Sequence, residues 1–333
     1  MNASTKTVLP TGILAGIAAT LLVLGANAQP SLAFVLYASS ALPVLIAGLG
    51  WGNRTAIVAI VTAALLGSIL VSPYFALALG IFTLVPAGWL SHLANLARPA
   101  SELGGPDNLM AWYPISDILL HLCGLVTVAM IILGMMIGYG PELTDAIVDA
   151  MSEALSAQNP EFASDAAALA QTKKLIVLMM PMIQGAMWVL LLFLAFYIAT
   201  RIVSRSDRAV RPREDMPSAL RMNRNAIFVF LAGIVMMFLG GVPAMIGATI
   251  SGTFGAGFLM AGFASLHFRS LGKDWRLPAL ILCYLSSMMM LPAIGIMIIG
   301  LSDTRRTIAL TPLRSDKKPT DTDNNEHTDT RKD

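Results

Sequence analysis

Residues 118–138 read ILLHLCGLVTVAMIILGMMIG, twenty-one positions without one Asp, Glu, Lys or Arg. As an α-helix, a stretch of that length and character matches the hydrocarbon core of a bilayer, about 30 Å thick. Eight further apolar stretches flank it: Val8–Ala26, Ser31–Gly48, Thr55–Val71, Tyr74–Leu96, Leu175–Ile202, Ala226–Leu239, Pro243–Leu266 and Leu277–Ile299. Of the 333 residues 56% are hydrophobic and only 13% charged, and the mean hydropathy is +0.71. A water-soluble domain could not cover that much apolar surface. The ten-residue alternating segments of a membrane β-barrel are missing. The chain therefore reads as an all-α polytopic bundle over residues 1–301. A polar tail, 302–333, follows and is expected to be disordered beyond about Leu313.

The first stretch has two readings. Lys6, an apolar run and Ala26-Asn27-Ala28 resemble a secretory signal with a small-x-small cleavage site. Against that, Gly12 and Gly16 form a GxxxG face that suits a packed, uncleaved helix, which is the reading preferred here.

Loop charge sets orientation. Arg201, Arg205, Arg208, Arg211, Arg213, Arg221 and Arg224 crowd the loop 201–224, which is expected in the cytoplasm. The acidic connection 140–172 has Glu142, Asp145, Asp149, Glu153, Glu161 and Asp165, and is expected outside. Its apolar positions Leu143, Ile147, Val148, Met151 and Leu155 have helical spacing, as an inert connector or a lid would. Counting back puts the N-terminus and Arg54 and Arg98 in the cytoplasm, as for a multi-pass protein of a bacterial inner membrane. Nine crossings would leave Arg305, Arg306 and Arg314 outside. Eight crossings with the tail inside are expected instead, either because Ala226–Leu239 is re-entrant or because Leu277–Ile299, broken at Leu291-Pro292, dips and returns.

Ionisable groups at membrane depth are costly and so come first as candidates. Asp117 and His121 lie four apart on one helix face, either as a substrate-binding or proton-coupling pair or as an interfacial carboxylate beside a hydrogen-bonded histidine. His92 and His267 sit near span ends and read as interfacial. Gly134 and Gly138, and in the eighth stretch Ala244, Ala248, Gly252 and Ala256 beside Gly247, Ser251 and Gly255, make small flanks. Such flanks serve close helix packing or line a solute cavity. Arg201, Arg205 and Arg208 are read as one helix face which, with Arg211 and Arg213, could attract anionic lipid or an acidic partner. The methionine clusters 179–182, 236–237 and 288–290 read as flexible core packing, and Cys123 and Cys283 as apolar fillers.

No GxxxxGK[ST] phosphate loop, HExxH or GxSxG stands in the chain. No catalytic residue, metal or cofactor is assigned, nucleic-acid binding has no support, and an enzyme is not expected. What remains is a solute-binding or transport-type membrane subunit without its own ATPase, or a scaffold acting through helix packing and a basic face. Beyond the lipid bilayer, the expected partners are other membrane subunits or a separate ATPase with its coupling protein.

Short motifs also stand in order: Leu42-Pro43 before Gly48, Gly50, Trp51 and Gly52; Trp112-Tyr113-Pro114; and Gly300-Leu301-Ser302-Asp303 before Arg305-Arg306. With the two long loops, they make the chain resemble the YybS-like family of bacterial integral membrane proteins, domain of unknown function 2232. The resemblance implies about eight spans and no established reaction. The family looks distantly similar to the substrate-capture subunits of energy-coupling-factor transporters, in which a separate ATPase supplies the energy.

Overall fold

A computed structural model describes residues 5–137 and 166–312, together with residues 145, 149, 150, 153 and 154. Most of the acidic connection, Gly138 and the chain beyond Pro312 lie outside the described residues. Among the described residues, seven helical stretches are long and apolar enough to cross a bilayer. They comprise α1 (Thr5–Ala28), α2 (Ala33–Ser39) running into α3 (Ala41–Trp51), α4 (Asn53–Leu70), α5 (Pro73–Leu79) joined to α6 (Val85–Ala94), α7 (Ile115–Ile137), the long α8 (Ala166–Arg205) and, after the shorter α9 (Met216–Ala219) and α10 (Asn225–Met237), α11 (Gly241–Arg269). The α5–α6 junction is a π-helical turn, Gly80–Leu84. Ser72 caps α5 by accepting from the Phe75 amide at 3.1 Å, with Pro73 in the first turn, where its missing N–H costs nothing. The all-α membrane bundle read from hydropathy is the architecture observed.

Small residues decide how close the helices come. A Cβ on Gly12 would lie 2.6 Å from the Cβ of Val58, and one on Gly16 2.7 Å from the Ala59 carbonyl oxygen. Contacts that advance together along both chains make α1 and α4 parallel, so the start of α1 shares an end of the bundle with Asn53. Helix α11 is central: 72% of its most apolar window is buried, against 28% for α1. Its glycines abut neighbouring backbone, Gly252 the Met182 carbonyl of α8 and Gly262 the Ile296 carbonyl of α13 (Met290–Ser302). Gly247 meets the Gly233 carbonyl of α10 (Asn225–Met237), where a Cβ would sit 2.5 Å away. Ala244, Ala248 and Ala256 are buried beside them, and Gly255 makes ordinary contact with Met297 and Phe230. Gly134 is half-buried on α7.

Among the described residues the last third has one long apolar helix, α11, between a short helix and a bent pair. At 13 residues, α10 is about 20 Å long, too short to span by itself. The stretch 220–224 before it is non-helical and leads into it, with Arg221 and Met222 at 0% exposure. This irregular backbone is tolerated because protein surrounds it. Gly240, at φ 73°, then turns the chain into α11. Beyond α11, α12 (Arg276–Ser286) and α13 meet at 118°. The break falls at 287–289, ahead of the expected Leu291-Pro292, because Pro292 fits without loss in the first turn of α13. Tyr284 of α12 stacks on Phe263 at 4.4 Å and bonds His267 at 3.0 Å. Asp303, just past α13, bonds Ser265 of α11. The outer ends of the pair, Arg276 seven residues after Arg269 and Asp303 beside Ser265, both lie at the end of α11, so the stretch dips and turns back.

The methionines at the break correct a sequence expectation. Met288, Met289 and Met290 are 87%, 68% and 67% exposed and pack no core, because the bend turns them outward.

A small sheet was not foreseen. Strands β1 (Ala97–Pro99), β2 (Leu109–Trp112) and β3 (Leu310–Pro312) pair antiparallel in that order, with Arg98 opposite Ala111 and Met110 opposite Thr311. Elements of three or four residues carry no readable alternation, and the third strand comes from the tail.

If α11 is wedged between backbones, Gly252→Ala and Gly262→Ala should each lower stability by about 1–3 kcal/mol through overpacking. Gly295→Ala, whose Cβ meets nothing within 4 Å, should be neutral or raise it by up to about 1 kcal/mol. Thermal unfolding in detergent gives the comparison, and equal melting temperatures for all three variants would refute this packing.

Candidate functional site

One end of the bundle gathers most of the charge. Helix α8 stops at Arg205 because Asp207 adopts a left-handed φ of 54°, and the Arg208 amide reaches back to the Val203 carbonyl at 3.3 Å. That turn corrects the expected single face of Arg201, Arg205 and Arg208. Arg201 donates from Nε at 3.0 Å and Nη2 at 2.5 Å to the Tyr197 hydroxyl. Arg208 folds back over the Trp51 ring at 4.6 Å, and Arg205 stays exposed. Arg211 also departs from the expected outward face. Its Nη1 donates to the Tyr113 carbonyl at 2.8 Å and the Ala94 carbonyl at 3.4 Å, while the rest of the guanidinium pairs with Glu214. It is a strut between loops, whereas Arg213 is exposed.

Two further pairs fasten the tail. Arg221, fully buried, donates from Nε to Asp303 Oδ2 at 2.8 Å and from Nη1 to the Pro217 and Leu220 carbonyls, both at 2.8 Å. Ser265 donates to the same Asp303 oxygen at 2.8 Å. Burial pushes the Arg221 guanidinium below its ordinary value, with Asp303 opposing that shift. Burial would raise the Asp303 carboxyl, but the Ser265 hydroxyl and the guanidiniums of Arg221 and Arg305 outweigh it and hold it below the usual carboxylate range. In the second pair, Arg306 donates from Nε to Asp117 Oδ2 at 2.7 Å, and Asn223 Nδ2 donates to Asp117 Oδ1 at 2.6 Å. Strand β3 adds the Trp112 indole N–H, donated to Thr311 at 2.9 Å. The tail's first ten residues are thus strapped across the bundle, joining α7, the arginine loop and α11.

Asp117 and His121 therefore do not act on one another directly. Asp117 has Arg306 and Asn223 on its two oxygens. His121 Nε2 is 3.1 Å from the Tyr113 hydroxyl and its ring lies 6.1 Å from Trp89. His92 meets Asn53 near the start of α4, at 2.5 Å. Within the bundle, Thr127 and Thr253 hydroxyls bond at 2.7 Å. Among the described residues, no group of three His, Cys, Asp or Glu side chains converges as metal ligands would.

Sequence reasoning had Asp303 in its terminal motif and Arg221 in its loop, without the bond between them. Charge at a helix end followed by a pair of arginines was the available signal, but 82 residues separate the partners.

Fold and charge distribution define a polytopic helical membrane protein with a tied, arginine-rich end. More particularly, the chain belongs to the DUF2232 family of predicted membrane proteins, whose family model matches residues 16–304, from the α1 glycine face to Asp303. A search of curated proteins and one of solved structures return no match.

Removing one partner of a buried pair leaves the other uncompensated, so Arg221→Met should cost roughly 3 kcal/mol. Arg306→Gln, at a half-exposed arginine (53%), should cost about 1 kcal/mol or less. Melting temperatures of the two variants decide this; equal losses would contradict the assignment. The folded Asp303 carboxyl titrates below its ordinary 3.8, so its contribution is present above that pH and disappears as pH falls through the lower, folded value. Wild type should therefore lose more stability on acidification below about pH 4 than Asp303→Asn does. Parallel acid profiles would remove Asp303 from the clamp.

Proposed function

We propose that this protein is a non-enzymatic membrane subunit that binds a partner through its arginine-rich end. The observation that carries the reading is how charge is partitioned there. The carboxylates of Asp117, Asp303 and Glu214 are each paired with an arginine inside the cap, while Arg205, Arg213 and Arg224 are exposed. Asp207 and Asp215 are exposed as well, but with Arg98 and Arg306 the exposed arginines outnumber them, so the outer surface is net cationic and is held in shape by the strapped tail. Such a surface suits an acidic protein face next to the membrane. The tight backbone contacts of α11 favour a scaffold over a solute path through the bundle centre.

A second reading is a transport-type subunit that captures a solute and relies on a separate ATPase. It is favoured by the discontinuous elements, the non-helical lead into α10 and the bent α12–α13 pair, since broken helices are where transporters hold substrates.

Tagged full-length protein, extracted from its native membrane in mild detergent, should bring down a stoichiometric partner. Arg205→Glu with Arg224→Glu should release that partner while insertion and melting temperature are retained. Undiminished capture by a normally inserted double variant would sink the docking face. An ATPase and a coupling membrane protein among the captured chains would move the weight to solute capture.

A further inference from the structure

A cleft lies between the last turns of α8 and the loop after it. Two adjoining hollows form it, with about 50 Å³ of usable space in the inner one and about 290 Å³ in the outer, so that only the outer one has room for a small headgroup. The inner one is walled by Leu49, Phe196, Val203 and Val210; the outer one holds Tyr197, Arg201, Arg213 and Asp215. Two cations at the mouth of the outer hollow suit an anionic headgroup.

The two arginines are differently prepared. Tyr197 takes two of the five N–H donors of Arg201, fixing the guanidinium and leaving the others for a ligand. Arg213 is exposed, and among the described residues neither arginine has a carboxylate within salt-bridge distance. Glu214, also in the wall, is held by Arg211, so it does not cancel them. Asp215 on the outer wall opposes an anion.

The surroundings say where a ligand would come from. Leu194, Ile198 and Ile202 are 50%, 39% and 41% exposed. They recur every fourth residue on α8 and form a lipid-facing stripe that ends beside Arg201 and Arg205. Trp51, half-buried under Arg208, stands at the same end of the bundle, as interfacial tryptophans do. An acyl chain lying along this stripe would bring its headgroup to the mouth of the cleft.

We infer that the mouth of the cleft binds the phosphate of a membrane phospholipid, with the phosphate on Arg201 and Arg213 in the outer hollow and an acyl chain along Leu194, Ile198 and Ile202. Guanidinium recognises phosphate through paired N–H donors. The site is separate from the docking residues Arg205 and Arg224, so it can fail or hold independently of them.

The test is native mass spectrometry of the full-length protein titrated with phosphatidylglycerol. Wild type should retain one lipid that Arg201→Gln with Arg213→Gln binds about tenfold more weakly. Arg205→Gln with Arg224→Gln, the same charge change nearby, should bind within about twofold of wild type. Asp215→Asn should bind no more weakly than wild type. Arg213→Gln by itself alters one exposed side chain and serves if the first double variant folds poorly. Equal weakening by both double variants would reduce the effect to general surface charge and overturn the site. So would unchanged binding by Arg213→Gln and by a folded Arg201→Gln/Arg213→Gln variant. If glycerol 3-phosphate displaces the lipid at equal concentration, the cleft takes a soluble phosphate ester and the lipid assignment fails.

Discussion

A charge that cannot be left in lipid or in a closed bundle must find its counter-charge inside the protein. Arg221 is the residue where this constraint bears hardest. It is fully buried, its guanidinium faces Asp303 and two backbone carbonyls, and Phe268 lies 5.9 Å from it. Meeting that need brings the arginine loop, the end of α11 and the start of the tail to one place. Once Asp303 is held there, Arg306 comes within reach of Asp117, and β3 lies alongside β2.

The small-residue helices answer a different constraint with the same outcome. Lipid gives helices no hydrophobic reason to associate, so close van der Waals contact has to do it. Gly252, Gly262 and Gly300 place α11 and its neighbours backbone against backbone. That leaves a rigid centre and concentrates exposed polar chemistry at the ends. Binding at the arginine end, to a partner or to a phosphate, follows more naturally from this division than reaction chemistry does.

Asp117 shows how a local reading can be right about the residue and leave its role open. Its cost at membrane depth marked it, and four-residue spacing coupled it to His121. In the fold its oxygens are occupied by Arg306 and Asn223, and His121 turns to Tyr113. The arginines divide in the same way. Seven in one loop look alike along the chain, yet Arg211 and Arg221 face inward, Arg208 covers a tryptophan, and Arg205, Arg213 and Arg224 are exposed.

Hydropathy and glycine spacing depend on neighbours within a turn or two. The sequence by itself therefore determined the membrane bundle, most span positions, the GxxxG face of α1 and the small flank of α11. Loop charge, also local, predicted a tail on the same side as the arginine loop, and the returning α12–α13 pair agrees. Contacts across long separations were decided by tertiary structure: Arg221 with Asp303, Asp117 with Arg306, and β2 with β3. Their partners lie 82 to about 200 residues apart, and no periodicity in one chain encodes which distant charge closes the pair. The non-helical lead into α10 belongs with them, because protein surrounding the fully buried Arg221 and Met222 makes such backbone tolerable.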